Sequence, residues 1–386
     1  MNFDLTDEQK MLVSAVGKFV KNESNVERFR KARTTAAVWD KAVWKKMGDN
    51  GWMGVAFSEA DGGFGGSFVD AALILEQFGR GLVPEPYIAS VILGGEAIAS
   101  AGTKEQKEKF LAPMIEGATS LALAYAENQS RYNLNDCLTK AEKSGSGWKI
   151  TGEKRWVLNG HAADQIVVAA RTSGGQFDAD GLSLFIVDGN AAGLERTAVS
   201  GMDGHKTGWL KLKGVEVGAD RLLGGAGKAL SVLERLVDRA AAAACAESQG
   251  CLQELFERTV LYLKQREQFG RPIGSFQVLQ HRAADMFAQV ELCKSMMILA
   301  AIKADETDET ERKEQISAAK AYLTEGGWVV QKQAIQLHGG IGITDEQDAG
   351  LFFKRVRVLQ GLFGDADHHI SRFSKLASFE RSLKSA

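Results

Sequence analysis

The sequence predicts an α+β chain in three consecutive parts: a helical domain over residues 1–120, a β-barrel or sandwich domain over 121–227 and a four-helix bundle over 228–386. Three observations predict it. Apolar residues recur at helical spacing before about residue 120 and again after about 228. Between those regions, short β-branched runs are separated by glycine-rich turns. Only four prolines occur in 386 residues, which leaves room for long unbroken helices.

The first helix opens at Thr6, ahead of Glu8 and Gln9, and runs through DEQKMLVSAVGKFVKNE with Leu12, Val16, Phe19 and Val20 on one face. The glycines of FSEADGGFGGSF (57–68) predict a loop. Helices follow at VDAALILEQFGRGL and at TKEQKEKFLAPMIEG (103–117). In the middle region WKITGEKRWVL alternates and turns at Thr151-Gly152, and DQIVVAAR, LSLFIVD and GWLKLKGVEV are strand-like. From Ala229 a single helical pattern extends to Gln265, with Ala240–Ala244 small enough for close helix contact. Two more long helices are expected over 276–304 and 313–339, and SRFSKLASFERSL closes the set.

Composition narrows the function. Net charge is -2, from 47 Lys+Arg against 49 Asp+Glu, without the basic stripe of a nucleic-acid binder. The acidic, polar start MNFDLTDEQK is not a signal peptide, and no run approaches the ~18 apolar residues of a membrane span. Cys137, Cys245, Cys251 and Cys293 form no CxxC pair, a usage that suits reduced thiols in a cytoplasm. A β domain flanked by helical layers is a place where a bound cofactor is expected.

Several segments carry candidate chemistry. In REQFGRPIGSFQVLQHRAADM (266–286), Arg266 stands three residues before Phe269 at the end of the long helix. An Arg beside an aromatic can hold a phosphate-bearing cofactor and stack its adenine; alone, a favourable Arg at a helix C-terminus explains it better. In QLHGGIGIT (336–344), the glycines let backbone approach a ligand and Gln336 can reach out from the helix end, although a plain C-cap fits as well. QGLFGDADHHISRF (360–373) sets Asp365 and Asp367 beside His368 and His369. A zinc site needs further ligands that the neighbouring sequence lacks, so Asp365 is read as a helix N-cap with Asp367 in the first turn.

Taken in order, EQFGRGL, GTKEQKEKFLAPMIEG, WKITGEKRWVLNG, R..FG, FQ.LQH..ADM and QLHGGIG run almost end to end, and the chain resembles the acyl-CoA dehydrogenase family. SRYNL and FGDADHH look like the small subunit of pimeloyl-CoA-type dehydrogenases and of paired dehydrogenases of steroid catabolism. The resemblance implies FAD and an acyl-CoA substrate. A carboxylate removes the α-proton of the thioester while a hydride leaves the β-carbon for the flavin, and electrons pass to an electron-transfer flavoprotein. It also assigns Arg266, Phe269, Gln336, Gly339 and Gly340 to the flavin of a neighbouring subunit.

The same resemblance exposes gaps. The family's base is a Glu that falls, counted without gaps from Gly339-Gly340, on Phe363; the alternative slot on the long helix falls on Ala240. Two hydroxyl positions near the flavin fall on Ala126 and Leu158. The expectation is therefore a subunit of a heterotetramer whose second dehydrogenase chain supplies the base. The alternatives are a homomeric enzyme that uses a displaced base such as Asp365, and a scaffold that has lost the reaction.

Overall fold

The computed structural model describes residues 4–376. The N-terminal helices are α1 (Asp7–Glu23), α2 (Val26–Ala32), α3 (Lys41–Asp49), α4 (Phe68–Gly81), α5 (Glu96–Ala101), α6 (Lys104–Gln106) and α7 (Ala112–Ile115). Strands follow as β1 (Leu121–Ala124), β2 (Lys140–Ser144), β3 (Gly147–Leu158), β4 (Gln165–Arg171), β5 (Leu182–Asp188), β6 (Leu194–Ser200), β7 (Lys206–Val217) and β8 (Leu222–Leu223). Then come α8 (Leu230–Gln265), the small hairpin β9 (Glu267–Gln268) and β10 (Arg271–Pro272), α9 (Gln277–Lys303), α10 (Glu309–His338), α11 (Ala349–Gly361) and α12 (Ala366–Ser374).

The order helical, β, helical is the expected α+β fold. Several details differ from the sequence reading. Where a turn was expected at Thr151-Gly152, β3 runs unbroken from Gly147 to Leu158, with a register shift against β7 between Ile150 and Thr151. The predicted helix over 103–117 is α6 and α7 joined by a π-helical stretch, Lys107–Leu111, and a second π stretch, Ile88–Gly95, leads into α5. The loop over 57–68 contains a 3-10 turn at Glu59–Asp61. The closing helix starts earlier than SRFSKLASFERSL suggests, at Ala366; residues beyond 376 lie outside the described residues, and α11 precedes it unforeseen.

The chain groups into two compact units. One comprises residues 32–67 and 84–240, including every strand from β1 to β8. The strand order is β6-β7-β3-β2-β4-β5-β8, with β1 parallel to β4 and nearly all other pairing antiparallel. β4 and β5 are buried on both faces, which is why DQIVVAAR and LSLFIVD read as continuous apolar runs instead of alternating ones. Ile166, Val168, Phe185, Val187, Leu210 and Leu212 form the centre of this core.

The other unit comprises residues up to Lys31, Phe68–Val83 and the chain from Ala241 onward. Thr6 caps α1 as expected, accepting from the Gln9 amide in a reciprocal capping box, and Val16, Phe19 and Val20 are buried. The alanines of α8 are buried, yet its crossing with α4 is built on two glycines. A Cβ on Gly79 would stand 2.1 Å from the Glu247 carbonyl oxygen, and one on Gly250 would stand 1.8 Å from that of Glu76. α10 buries Ile316, Ala319, Leu323, Val330 and Ala334, and Lys320 lies among them. The Lys320 ammonium donates to the carbonyls of Leu359 (2.8 Å) and Gln360 (3.0 Å), closing the C-terminal end of α11.

The segment after α11 answers the question raised by its Asp-His cluster. Asp365 is the N-cap of α12, accepting from the His368 amide at 2.9 Å. His369 is buried: Nε2 lies 3.1 Å from the Phe363 carbonyl and Nδ1 3.3 Å from Ser317 Oγ. This network fits a neutral ring that donates from Nε2 and accepts at Nδ1. Burial, then the charges of Lys320 and its neighbours, push its pKa down to about 2. Among the described residues no group of three or more His, Cys, Asp or Glu could hold a metal ion, and no helix is long and apolar enough to cross a membrane.

Two outcomes are expected. Gly250→Ala should destabilise the chain by about 1–3 kcal/mol, because overpacking against the α4 backbone outweighs the gain in helix propensity. Gly361→Ala, where a Cβ meets nothing within 4 Å, should be neutral or slightly stabilising. Urea midpoints of the two variants decide this, and equal midpoints would refute the crossing. The second outcome concerns acid. In the unfolded chain His369 takes a proton below about 6.5, whereas in the folded chain it stays neutral to about 2. Its contribution is complete above pH 6.5 and is lost as pH falls through that window, at up to about 1.4 kcal/mol per pH unit. His369→Asn should therefore show a shallower loss of stability between pH 6.5 and 4.5 than the wild type; parallel pH profiles would remove His369 from the account.

Candidate functional site

Helix α8 ends at Gln265, and the Arg266 amide still donates to Tyr262 at 2.8 Å. The chain then makes the β9–β10 hairpin, whose turn residues Phe269 and Gly270 have φ of 55° and 74°. Two successive positive φ angles match the right-handed twist of a two-residue hairpin. They project the Phe269 ring into solvent, 91% exposed, with only an edge contact to Phe276 at 6.0 Å between centroids. Arg266 is exposed at the base of the hairpin.

Helix α10 ends at His338, whose ring stacks on Tyr262 at 4.6 Å, one helical turn before Arg266. Gly339 has φ 65° and ψ −147°, a conformation essentially confined to glycine. Gln336, Gly339 and Gly340 are exposed along an open groove of about 590 Å³ that also takes in Trp328, Lys332 and Phe353. A Cβ on Gly339 or Gly340 would meet nothing within 4 Å. The protein's own packing therefore does not require a bare backbone at Gly340. The stacked Tyr262 and His338 bring the end of α8 beside the end of α10. Exposed cations, an exposed ring and bare backbone together suit a phosphate-bearing aromatic cofactor such as FAD.

The two positions that the resemblance implies for a base, residues 363 and 240, hold no proton acceptor. Phe363 is buried and left-handed, at φ 61°, between the end of α11 and Gly364. Asp365, the candidate replacement, has its carboxylate engaged as the α12 cap. Ala240 lies fully buried on α8, and its neighbour Arg239 is paired with Glu96.

In the β unit, Ala126 and Leu158 are half-buried and offer no hydroxyl. The residue beside Ala126 does more than the sequence suggested. Glu127 is buried and accepts from Lys154 (2.7 Å), the Leu138 amide (2.8 Å) and the Thr139 amide (3.0 Å). Burial alone would raise its pKa, but the Lys154 charge and these hydrogen bonds outweigh it and bring the value down to about 2. Glu127 is thus a fixed anion that organises the loop to Thr139, not a base. The missed signal was Lys154, a lysine on the inward phase of β3 with Trp148 and Ile150. Just beyond it the β3–β7 register shifts, and Trp156 turns outward with φ 53°, 56% exposed, edge-on to Trp209 at 5.6 Å.

Comparison with known proteins shows the family. Models of the N-terminal, middle and C-terminal domains of acyl-CoA dehydrogenases match residues 6–118, 122–215 and 228–375. The probable acyl-CoA dehydrogenase YngJ of Bacillus subtilis is 30% identical over 377 residues, covering 96% of this chain and 98% of that protein. Butyryl-CoA dehydrogenase from Megasphaera elsdenii superposes with a TM-score of 0.89 at 26% identity, covering 97% of this chain and 99% of that one. A chain of the ChsE4-ChsE5 complex from Mycobacterium tuberculosis does so with a TM-score of 0.85 at 26% identity, covering 100% of both. These enzymes are oxidoreductases acting on CH–CH groups with FAD, and the chain belongs to the acyl-CoA dehydrogenase family.

Proposed function

We propose that this chain is one subunit of a heterotetrameric acyl-CoA dehydrogenase that converts an acyl-CoA to its 2,3-enoyl-CoA, with the base supplied by a second dehydrogenase chain. The observation that carries this reading is Phe363. The position where the family keeps its carboxylate holds a buried phenyl ring on a left-handed backbone, pinned by His369, and the other slot holds Ala240. A likeness to a chain of the ChsE4-ChsE5 complex supports the pairing, and the SRYNL and FGDADHH segments point to the steroid-catabolic branch of the family. An electron-transfer flavoprotein is the proposed electron acceptor.

In this reading the chain completes a neighbour's cofactor site. When bound, FAD supplies the hydride acceptor. Arg266 would neutralise phosphate charge, Phe269 would cover the adenine, and Gln336 with the bare amides of Gly339 and Gly340 would hold the diphosphate. Trp156 presents an exposed ring beside the half-buried Leu158.

The homomeric alternative needs Asp365 as the base, but its carboxylate already receives the His368 amide at the positive end of α12. The purified chain alone should therefore show no acyl-CoA oxidation with ferricenium or an electron-transfer flavoprotein as acceptor. Turnover that Asp365→Asn abolishes would establish the homomeric enzyme instead. In the assembled enzyme, Arg266→Ala removes a charge-assisted contact worth about 1.5–3 kcal/mol, so flavin should be lost roughly tenfold or more readily. Unchanged flavin retention would take Arg266 out of the site.

A further inference from the structure

We propose that Arg30 and Arg258 are positioning residues that hold the glycine corner in register with the hairpin, both acting through Asp348; this rests on the reading of Gln336, Gly339 and Gly340 as cofactor contacts. The corner runs from Gly339 through a short 3-10 turn to Ile343 and then to Asp348, where α11 begins. Its first half is seated by packing, since Gly342 lies against His338 and Ile335. Its second half carries exposed polar residues and no comparable packing.

Two guanidinium groups supply the hold. Arg30, from α2, donates through Nε (3.1 Å) and Nη2 (2.8 Å) to one Asp348 oxygen, and also to the carbonyls of Asp345 (2.6 Å) and Glu346 (3.3 Å). Arg258, from α8, donates to the other Asp348 oxygen at 2.7 Å and is itself oriented by Glu254 at 2.9 Å. One carboxylate is therefore gripped from two helices, and two consecutive peptide carbonyls of the corner are gripped with it.

The spacing along α8 gives the grip its meaning. Arg258, Tyr262 and Arg266 follow at i, i+4 and i+8, one stripe of the helix surface. Arg258 holds the exit of the corner through Asp348, and Tyr262 holds its entrance through the His338 stack. Arg266 opens the hairpin that shares the proposed ligand. A single rigid stripe thus sets the separation between the two parts that must meet one cofactor. A corner left free would be ordered only on binding, and that ordering would be subtracted from affinity. A plain stabilising role of these half-buried pairs predicts something else: protection would fall along α2 and α8 as much as in the corner, and FAD affinity would not change.

The test uses the full-length chain in the assembly in which it is purified, with FAD as the probe. Arg30→Ala and Asp348→Asn should raise amide exchange across residues 341–346 and weaken FAD binding roughly three- to tenfold, the scale of re-ordering a short segment on binding. Arg30→Lys should behave like Arg30→Ala, because one ammonium cannot span a carboxylate and two carbonyls. The inference is overturned if FAD affinity stays at the wild-type value, if Arg30→Lys restores it, or if protection is lost equally along α8. Arg266→Ala, measured in parallel, separates the two levels. If it too leaves FAD binding unchanged, the cofactor reading fails; if only the clamp variants are silent, the clamp alone fails.

Discussion

The helical unit depends on how closely α8 can approach α4. A side chain at Gly79 would begin where the α8 backbone lies at Glu247, and one at Gly250 where the α4 backbone lies at Glu76, so the two helices are in contact without intervening side chains. Half-buried Glu76 lies at this crossing, and desolvation raises its pKa despite the charges of Lys294 and Arg80. It also lets Cys251 Sγ reach the Gly79 carbonyl at 3.2 Å. With α8 fixed, Glu247 meets Arg355 of α11 at 2.6 Å, and the stripe from Arg258 to Arg266 faces the end of α10. Glycine is a poor helix former, and it is kept in both helix interiors because the crossing leaves no alternative.

At Phe363 the backbone is held by polar contacts from beneath. Lys320 takes the last carbonyls of α11, His369 takes the carbonyl of Phe363, and Gly364 leaves the room that the His369 ring occupies. A left-handed phenylalanine costs about 1–2 kcal/mol relative to a relaxed backbone, and it persists because the surroundings over-determine it. The turn is thus fixed by its surroundings, and residue 363 itself carries no carboxylate.

Much of this could be read from the residues. The helix–strand–helix order followed from a change of period from 3.6 to 2, and the Thr6 cap and the Asp365 cap followed from residue type and position. Helix α11 was not legible: AGLFFKRVRVLQG has no side-chain cap at Asp348, whose carboxylate is engaged by Arg30 and Arg258 from distant parts of the chain. The π stretches were equally hidden, since one extra residue per turn leaves the apolar pattern nearly unchanged over five to eight positions. Lys154 was overlooked because a buried lysine makes sense only once its partner Glu127, 27 residues away, is seen beside it. For the proposed cofactor contacts, motif resemblance pointed to Arg266, Phe269, Gln336, Gly339 and Gly340, but not to the stacking of Tyr262 on His338 that brings the two helix ends together.

The open space around Gly340 has a consequence for how such a chain is conserved. A methyl group there would touch nothing in the protein, so neither folding nor cellular quality control would register its arrival. Any pressure to keep the glycine would have to come from outside the chain, from a molecule that lies against it. Surface positions of this kind record a protein's associations: they drift once the association ends, while the glycines at the α4–α8 crossing stay as long as the fold does. On the proposed function, Gly340 would then answer to another subunit's cofactor and not to the packing of its own chain.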